Sequence, residues 1–366
     1  MAQAVEANYP DTYRLELSDL MKDAGFNRFD ALHKRSWRRA LENPWTVTWG
    51  QRLIDKVPGL TVKTHRLLLR NFAKDAAERL RERGPELIVA NHGWLTTALT
   101  LAQRRFGLET PVLTFQTSTL DATALWADPH AERFLLGSPV AKDVLTQLGV
   151  SRDKMDVVGY PVKQAFIHAP SKRCAREQLG LRDSFTCLIS LGGEGVGGQP
   201  RALIRALRSL QFPVQIIVIT GRNEALRRDL EALSTKDLLL HPQGFVDNMA
   251  DFVAASDLVV GKTGPAAVFE SLAVGRPVLA PSLSGGIENQ MLHFLETHGL
   301  GGYVPTMDAL KAAVSRYYHE PERLAQVEAR ARAFDFPDMT ERVGHYIVHY
   351  AKTRCPDPAL LGEGIR

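Results

Sequence analysis

Short β-type runs alternate with helical stretches along nearly the whole chain, and this alternation restricts the possible folds more than any single motif. "YRLEL" (13–17), "ELIVA" (86–90), "PVLTF" (111–115), "RFLLG" (133–137) and "MDVVG" (155–159) read as strands. A second series follows with "FTCLISL" (185–191), "VQIIVIT" (214–220), "LLLHP" (238–242), "DLVVG" (257–261) and "PVLAP" (277–281). Helical patterns lie between them, at 200–210, 223–233 and 265–274. Such alternation predicts parallel sheets covered on both faces, the doubly wound α/β class. Two series in 366 residues predict two similar domains. The join is expected near "GYPVKQAFIHAPSKR" (159–173), where prolines and polar residues interrupt the pattern. The opening is unusual, because the helix-like stretch 2–8 is very short and a strand is expected already at 13. A doubly wound domain normally begins with a strand, a glycine turn and a full helix.

Bulk properties exclude several classes. The formal net charge of +4 is mild and does not argue for nucleic acid. The three cysteines, Cys174, Cys187 and Cys355, lack metal-ligand spacing and are odd in number, which points to a reducing compartment. No apolar run approaches the 18 residues of a membrane span and no signal-peptide core is visible. A membrane role would therefore be peripheral. The tail "CPDPALLGEGIR" reads as loose.

"CLISLGGEGVGGQP" (187–200) is the richest glycine stretch. Gly193, Gly195 and Gly198 fit G-x-G-x-x-G, the dinucleotide fingerprint. Glycines permit positive φ and close backbone approach by a ligand. Pro200 suits the first turn of a following helix, whose free N–H groups favour a phosphate. A dinucleotide site needs an acid at the end of the next strand. Here "VQIIVITGRN" ends in Thr220, Gly221 and Arg222. No Lys-Ser or Lys-Thr pair follows either, so a P-loop is excluded. A nicotinamide or flavin site, a plain turn and a different nucleotide diphosphate all remain open, and the last is the best supported.

"KTGPAAVFESLAVGRPVLAP" (262–281) adds to it. Thr263, Gly264 and Pro265 precede a helix whose N–H groups can meet a diphosphate. Glu270 lies in that otherwise apolar helix and could accept hydrogen bonds from both ribose hydroxyls; a solvated helix Glu is the plainer alternative. "SGGIENQ" (284–290) reads as a further glycine turn, and its Glu288, Asn289 and Gln290 suit sugar hydroxyls or form an ordinary polar loop.

Taken together, "LGGEGVGGQPRALIRAL", "VITGRN", "QGFVDNMADFVAASDLVVGKTGP", "ESLAVGRPV" and "GGIENQ" resemble the monogalactosyldiacylglycerol synthase and processive diacylglycerol glucosyltransferase group of family 28-like GT-B glycosyltransferases. The resemblance covers roughly residues 1 to 345 and is densest in the second half. It implies two Rossmann-like doubly wound domains facing a cleft, the first lacking its opening strand. The implied boundaries are 1–165 for an acceptor and membrane-side domain and 166–340 for a UDP-sugar domain. Residues 341–366 would be a returning helix and loose tail. The implied reaction is inverting transfer of glucose or galactose from a UDP-hexose, a substrate and not a cofactor, to diacylglycerol. No Asp-x-Asp motif occurs, so the sequence does not require a metal to bridge the diphosphate. The resemblance places uracil near Gly244, Phe245 and Val246, and the diphosphate at Gly192, Gly193, Glu194 and Gly195 and at Gly264 and Pro265. It places the ribose on Glu270, with Arg222 and Asn223 at the donor cleft. A degraded UDP-sugar-binding homologue and a transferase for a peptidoglycan-type lipid are the alternatives.

Some family features differ. The family opens with a strand and a G-x-G-H type loop before the helix that includes the region of Ala2 to Asn8, and this sequence lacks both; either it starts late or it is a divergent or degraded member. Thr119 stands where the family has an acid, and "SGGIE" replaces P-G-Q-E. An inverting transferase needs a base for the acceptor hydroxyl. His92, at a strand end, and Asp121 are the candidates.

Residues 28 to 83 carry 14 Lys and Arg against 6 Asp and Glu. Trp37, Arg38, Arg39, Trp45 and Trp49 lie in this segment and suit an anionic membrane surface, where Trp and basic residues favour the interface. An ordinary amphipathic helix over 63–84 is the plainer reading. The expected location is cytoplasmic, on the inner face of the cell membrane.

Overall fold

A computed structural model describes residues 1–26, 54–195, 199–234, 239–283 and 286–365. The chain divides into two compact units, Met1–Pro161 with Pro337–Arg366, and Val162–Phe336.

The first unit contains α1 (Ala2–Asn8), α2 (Leu20–Asp23), α3 (Pro58–Leu68), α4 (Arg70–Arg83), β1 (Ile88–Ala90), α5 (Gly93–Phe106), β2 (Val112–Gln116), β3 (Arg133–Leu136), α6 (Pro139–Gln147) and β4 (Met155–Val157). Its four strands are parallel and pair in chain order, β1-β2-β3-β4. Ala73, Ala76 and Ala77 of α4 are fully buried and pack with Ala98, Leu99 and Ala102 of α5, since small side chains let two helices approach closely.

The strand expected at 13–17 does not form. Those residues carry no regular structure, and Leu17 is 88% exposed. Alternating apolar residues make a strand only where a neighbouring ladder and a buried face receive them. The single helix suggested for 63–84 is two helices, interrupted at Leu69.

The second unit contains α7 (Gln164–Ile167), α8 (Lys172–Gln178), β5 (Thr186–Ser190), α9 (Pro200–Arg208), β6 (Gln215–Ile219), α10 (Glu224–Ser234), β7 (Leu240–Gln243), α11 (Met249–Ala255), β8 (Leu258–Gly261), α12 (Pro265–Ala273), β9 (Val278–Ala280), α13 (Gly286–Thr297), β10 (Gly301–Tyr303), α14 (Met307–His319) and α15 (Glu322–Arg332). Its six parallel strands run β10-β9-β8-β5-β6-β7. Cys187, Ile189, Ile216, Val218, Leu258 and Val260 form the middle of its core. These strands are covered on both faces, so they read as continuous apolar runs. The order reverses between β5 and β8, and open α/β sheets bind ligands at the carboxyl ends of strands at such a reversal.

The last helix, α16 (Phe336–Thr353), brings the chain back to the first unit. Polar side chains hold it there. Tyr346 Oη donates to Asp156, which also accepts from Arg133 Nη1 at 2.6 Å. Tyr350 Oη donates to Glu132 Oε1 at 2.8 Å. Gly344 lets α1 approach, since a Cβ there would lie 2.7 Å from Ala4 O. Burial and the Asp156 carboxylate push the Tyr346 hydroxyl well above its ordinary value.

Candidate functional site

Five loops at the carboxyl ends of β5 to β9 collect the donor-side residues expected in the second unit. The turns after β5 and β6 interlock. Gly195 has φ +63°, and a Cβ there would collide with Thr220 O. Gly221 has φ +56°, and a Cβ there would lie 2.5 Å from both Gly192 O and Gly193 O. Only glycine meets both demands, a left-handed backbone and an approach with no room for a side chain. The interlock is hydrogen-bonded. Arg222 N–H donates to Gly193 O at 2.9 Å, and Asn223 Nδ2 donates to Gly195 O at 3.0 Å. Asn223 Oδ1 in turn accepts from Leu226 N–H in the first turn of α10.

Arg222 joins three loops. Its Nη1 lies 3.1 Å from Glu194 Oε1, and its guanidinium lies 5.0 Å from the centre of the Phe245 ring. Phe245 follows β7 and is 57% exposed, so the ring offers a flat surface for a planar ligand. Val246 beside it is half-buried.

The loop after β8 makes the other side of the strand-order reversal. Gly264 is the N-cap of α12 and Pro265 its first residue, with no side chain capping the helix. The space a Cβ would take at Gly264 is empty. The helix thus starts with uncapped N–H groups and the partial positive charge of its dipole. Thr263 is fully buried, and its hydroxyl donates to Glu288 O at 3.0 Å, tying this loop to α13. Glu288, Asn289 and Gln290 are not in a glycine turn, as the sequence had indicated, but in the opening residues of α13. Glu270 faces Lys163, Nζ to Oε1 at 3.0 Å. Burial pushes its carboxyl up, and Lys163 pulls it down more weakly. Gly198 of the apparent dinucleotide fingerprint lies outside the described residues.

On the first unit, His92 is the N-cap of α5, just past β1. Its ring lies 5.0 Å from that of Trp94 and 6.2 Å from that of Trp126. The segment 121–126 runs against this helix start; a Cβ on Gly93 would be 2.5 Å from Leu125 O. Asp121 Oδ1 accepts from Ala122 N–H at 2.8 Å. Burial, then the charge of Asp55, raise its carboxyl above the usual range. Asp55, which the sequence reading missed, accepts from Ala124 N–H at 2.7 Å and is itself raised by burial. In sequence it is one acid in a strongly basic stretch, and only its long-range contact singles it out. Thr119 has φ +61°, rare for a β-branched residue, and its buried hydroxyl oxygen has no hydrogen-bond partner among the described residues. Trp37, Arg38, Arg39, Trp45 and Trp49 lie outside the described residues. Among the described residues no group of His, Cys, Asp and Glu has metal-binding geometry.

Comparison with known proteins fits this arrangement. Residues 199–343 match the glycosyltransferase family 28 C-terminal domain. The chain is 26% identical over 264 residues to a processive diacylglycerol beta-glucosyltransferase of Staphylococcus saprophyticus, covering 71% of this chain and 66% of that one. It is 25% identical over 285 residues to the chloroplastic monogalactosyldiacylglycerol synthase of Spinacia oleracea, covering 75% of this chain and 54% of that one. The alignments thus span less than two thirds of these relatives' own lengths. Among solved structures, Anabaena HepE in complex with UDP-glucose superposes with a TM-score of 0.55 at 18% identity, covering 76% of this chain and 81% of that one. Acinetobacter baumannii MurG gives 0.54 at 18%, covering 76% and 77%. These likenesses show the GT-B fold. The resemblance to the diacylglycerol glycosyltransferase group is thereby borne out.

Proposed function

We propose that this protein is a glycosyltransferase that moves a hexose from a UDP-sugar to diacylglycerol at the inner face of the cell membrane, with inversion. The observation that carries the reading is the pairing, across the reversal in the second sheet, of a glycine turn with an uncapped helix start. Gly192–Gly195 offers backbone that a ligand can approach closely, and Gly264–Pro265 offers N–H groups and a positive dipole end. Such a pair suits a diphosphate and stabilises the charge that grows on UDP as it leaves, without a metal. Glu270 suits two ribose hydroxyls, which would displace Lys163 as its hydrogen-bonding partner. Phe245, backed by Arg222, suits the uracil face.

The first unit supplies acceptor-side groups. An inverting displacement needs a base to take the proton of the attacking hydroxyl. Asp121 suits this task because its raised carboxyl has gained basicity. His92 is the other candidate.

Membrane contact is supported by α3. Leu60, Leu67 and Leu68 are 62%, 74% and 66% exposed. Exposed Lys56, Lys63 and Arg70 surround them. An apolar strip edged with cations fits an anionic lipid surface. No helix among the described residues is long and apolar enough to cross a membrane.

UDP release, measured with UDP-glucose or UDP-galactose and diacylglycerol vesicles, tests the proposal. Lipid-dependent release is expected with one of the two donors. UDP binding without release from either donor would leave a binding protein and sink the transferase reading.

A further inference from the structure

The opposite, amino-terminal edge of the second sheet borders a separate cavity of about 910 Å³. Ser184, Asp257 and Arg276, which lead into β5, β8 and β9, line it together with Tyr317 of α14 and Ala325 of α15. None of the donor-side residues reaches it.

Most of its charges are matched. Asp257 accepts from Lys172 Nζ at 2.5 Å, from Arg176 Nη2 at 2.8 Å and from Thr186 N–H at 2.7 Å. Arg176 also meets Asp183 at 2.6 Å, and Arg332 meets Glu328 at 2.5 Å. Arg276 differs. Its Nη2 donates to Ala254 O at 3.0 Å, its Nε is buried with no partner, and it forms no ion pair among the described residues. Burial holds its guanidinium below the usual range, despite the more distant pull of Asp257 and Glu328. Arg276 is half-buried, and a guanidinium withdrawn from water to this extent is normally paired.

We propose that this cavity is a second ligand site, which takes the oxyanion of a small metabolite on Arg276. A guanidinium fork matches two oxygens of a phosphate or a carboxylate. The lining holds four cations (Lys172, Arg176, Arg276, Arg332) and three acids (Asp183, Asp257, Glu328), which leaves one positive charge over. That balance favours one compact oxyanion over a polyanion. Tyr317 adds a half-buried ring and hydroxyl to the wall.

Isothermal titration of the full chain with inorganic phosphate, and separately with malonate, tests the site independently of the transferase reading and tells phosphate from carboxylate. The expected result is saturable 1:1 binding of at least one anion. Arg276→Gln should weaken it at least tenfold. Ala325→Trp, which fills the cavity from an exposed helical position, should do the same and keeps the test decisive if Arg276→Gln does not fold. Arg222→Ala, in the donor-side loops, should bind as the wild type does. Absence of saturable binding, undiminished binding in either folded cavity variant, or loss of binding in Arg222→Ala overturns the proposal.

Discussion

Glu270 and Lys163 show how one contact sets a titration. The carboxyl is raised by burial and held down by the lysine. In the proposed ribose role only the ionised form would accept from both hydroxyls, so UDP affinity should fall as pH drops through this raised value. Lys163→Met removes the downward pull, and the acid-side loss of affinity should then begin at a higher pH. Glu270→Gln should weaken UDP binding roughly 10- to 100-fold at neutral pH, the loss of a hydrogen bond to a charged group. Fluorescence or calorimetric titration across pH checks both. Asp121 carries a parallel argument with the opposite sign. Burial raises it and the charge of Asp55 adds to that more weakly, so Asp55→Asn should move the acid limb of kcat/KM modestly to lower pH. An unmoved limb would remove Asp121 as the base.

At the scale of elements, the turns after β5 and β6 depend on each other. Gly195→Ala imposes a left-handed backbone on alanine and a collision with Thr220 O. Destabilisation of at least about 2 kcal/mol is expected in urea unfolding. The face of α3 makes a contrasting prediction. Leu67→Glu alters an exposed side chain, so stability should change by less than about 0.5 kcal/mol. Co-sedimentation with anionic vesicles should nevertheless drop several-fold. Loss of fold with loss of binding would indicate that the leucine is structural.

At the scale of the whole molecule, the first unit is built from two distant parts of the chain. Residues 337–366 belong with 1–161, and Tyr346 and Tyr350 hold α16 through carboxylates on or beside its strands. Tyr346→Phe leaves Asp156 paired with Arg133 but one donor short. It should cost about 1–3 kcal/mol in chemical denaturation.

The order of strands and helices was legible because parallel strands covered on both faces must be apolar throughout. "VQIIVIT" and "DLVVG" needed no context to be read as β6 and β8. β10, "GGY", was invisible because a glycine-rich strand carries no β signal and forms here through pairing with β9. "YRLEL" had the signal but no ladder to join. The glycine turns, the Gly264–Pro265 helix start and Glu270 could be named from sequence, since each rests on local backbone chemistry. The tertiary structure alone decided that Gly195 locks onto Thr220, that Lys163 faces Glu270, that Asp55 reaches the Asp121 loop across 65 intervening positions, and that Arg276 has no carboxylate partner among the described residues. Local propensity acts over a few residues, whereas these pairings depend on which strand ends the folded sheet brings side by side.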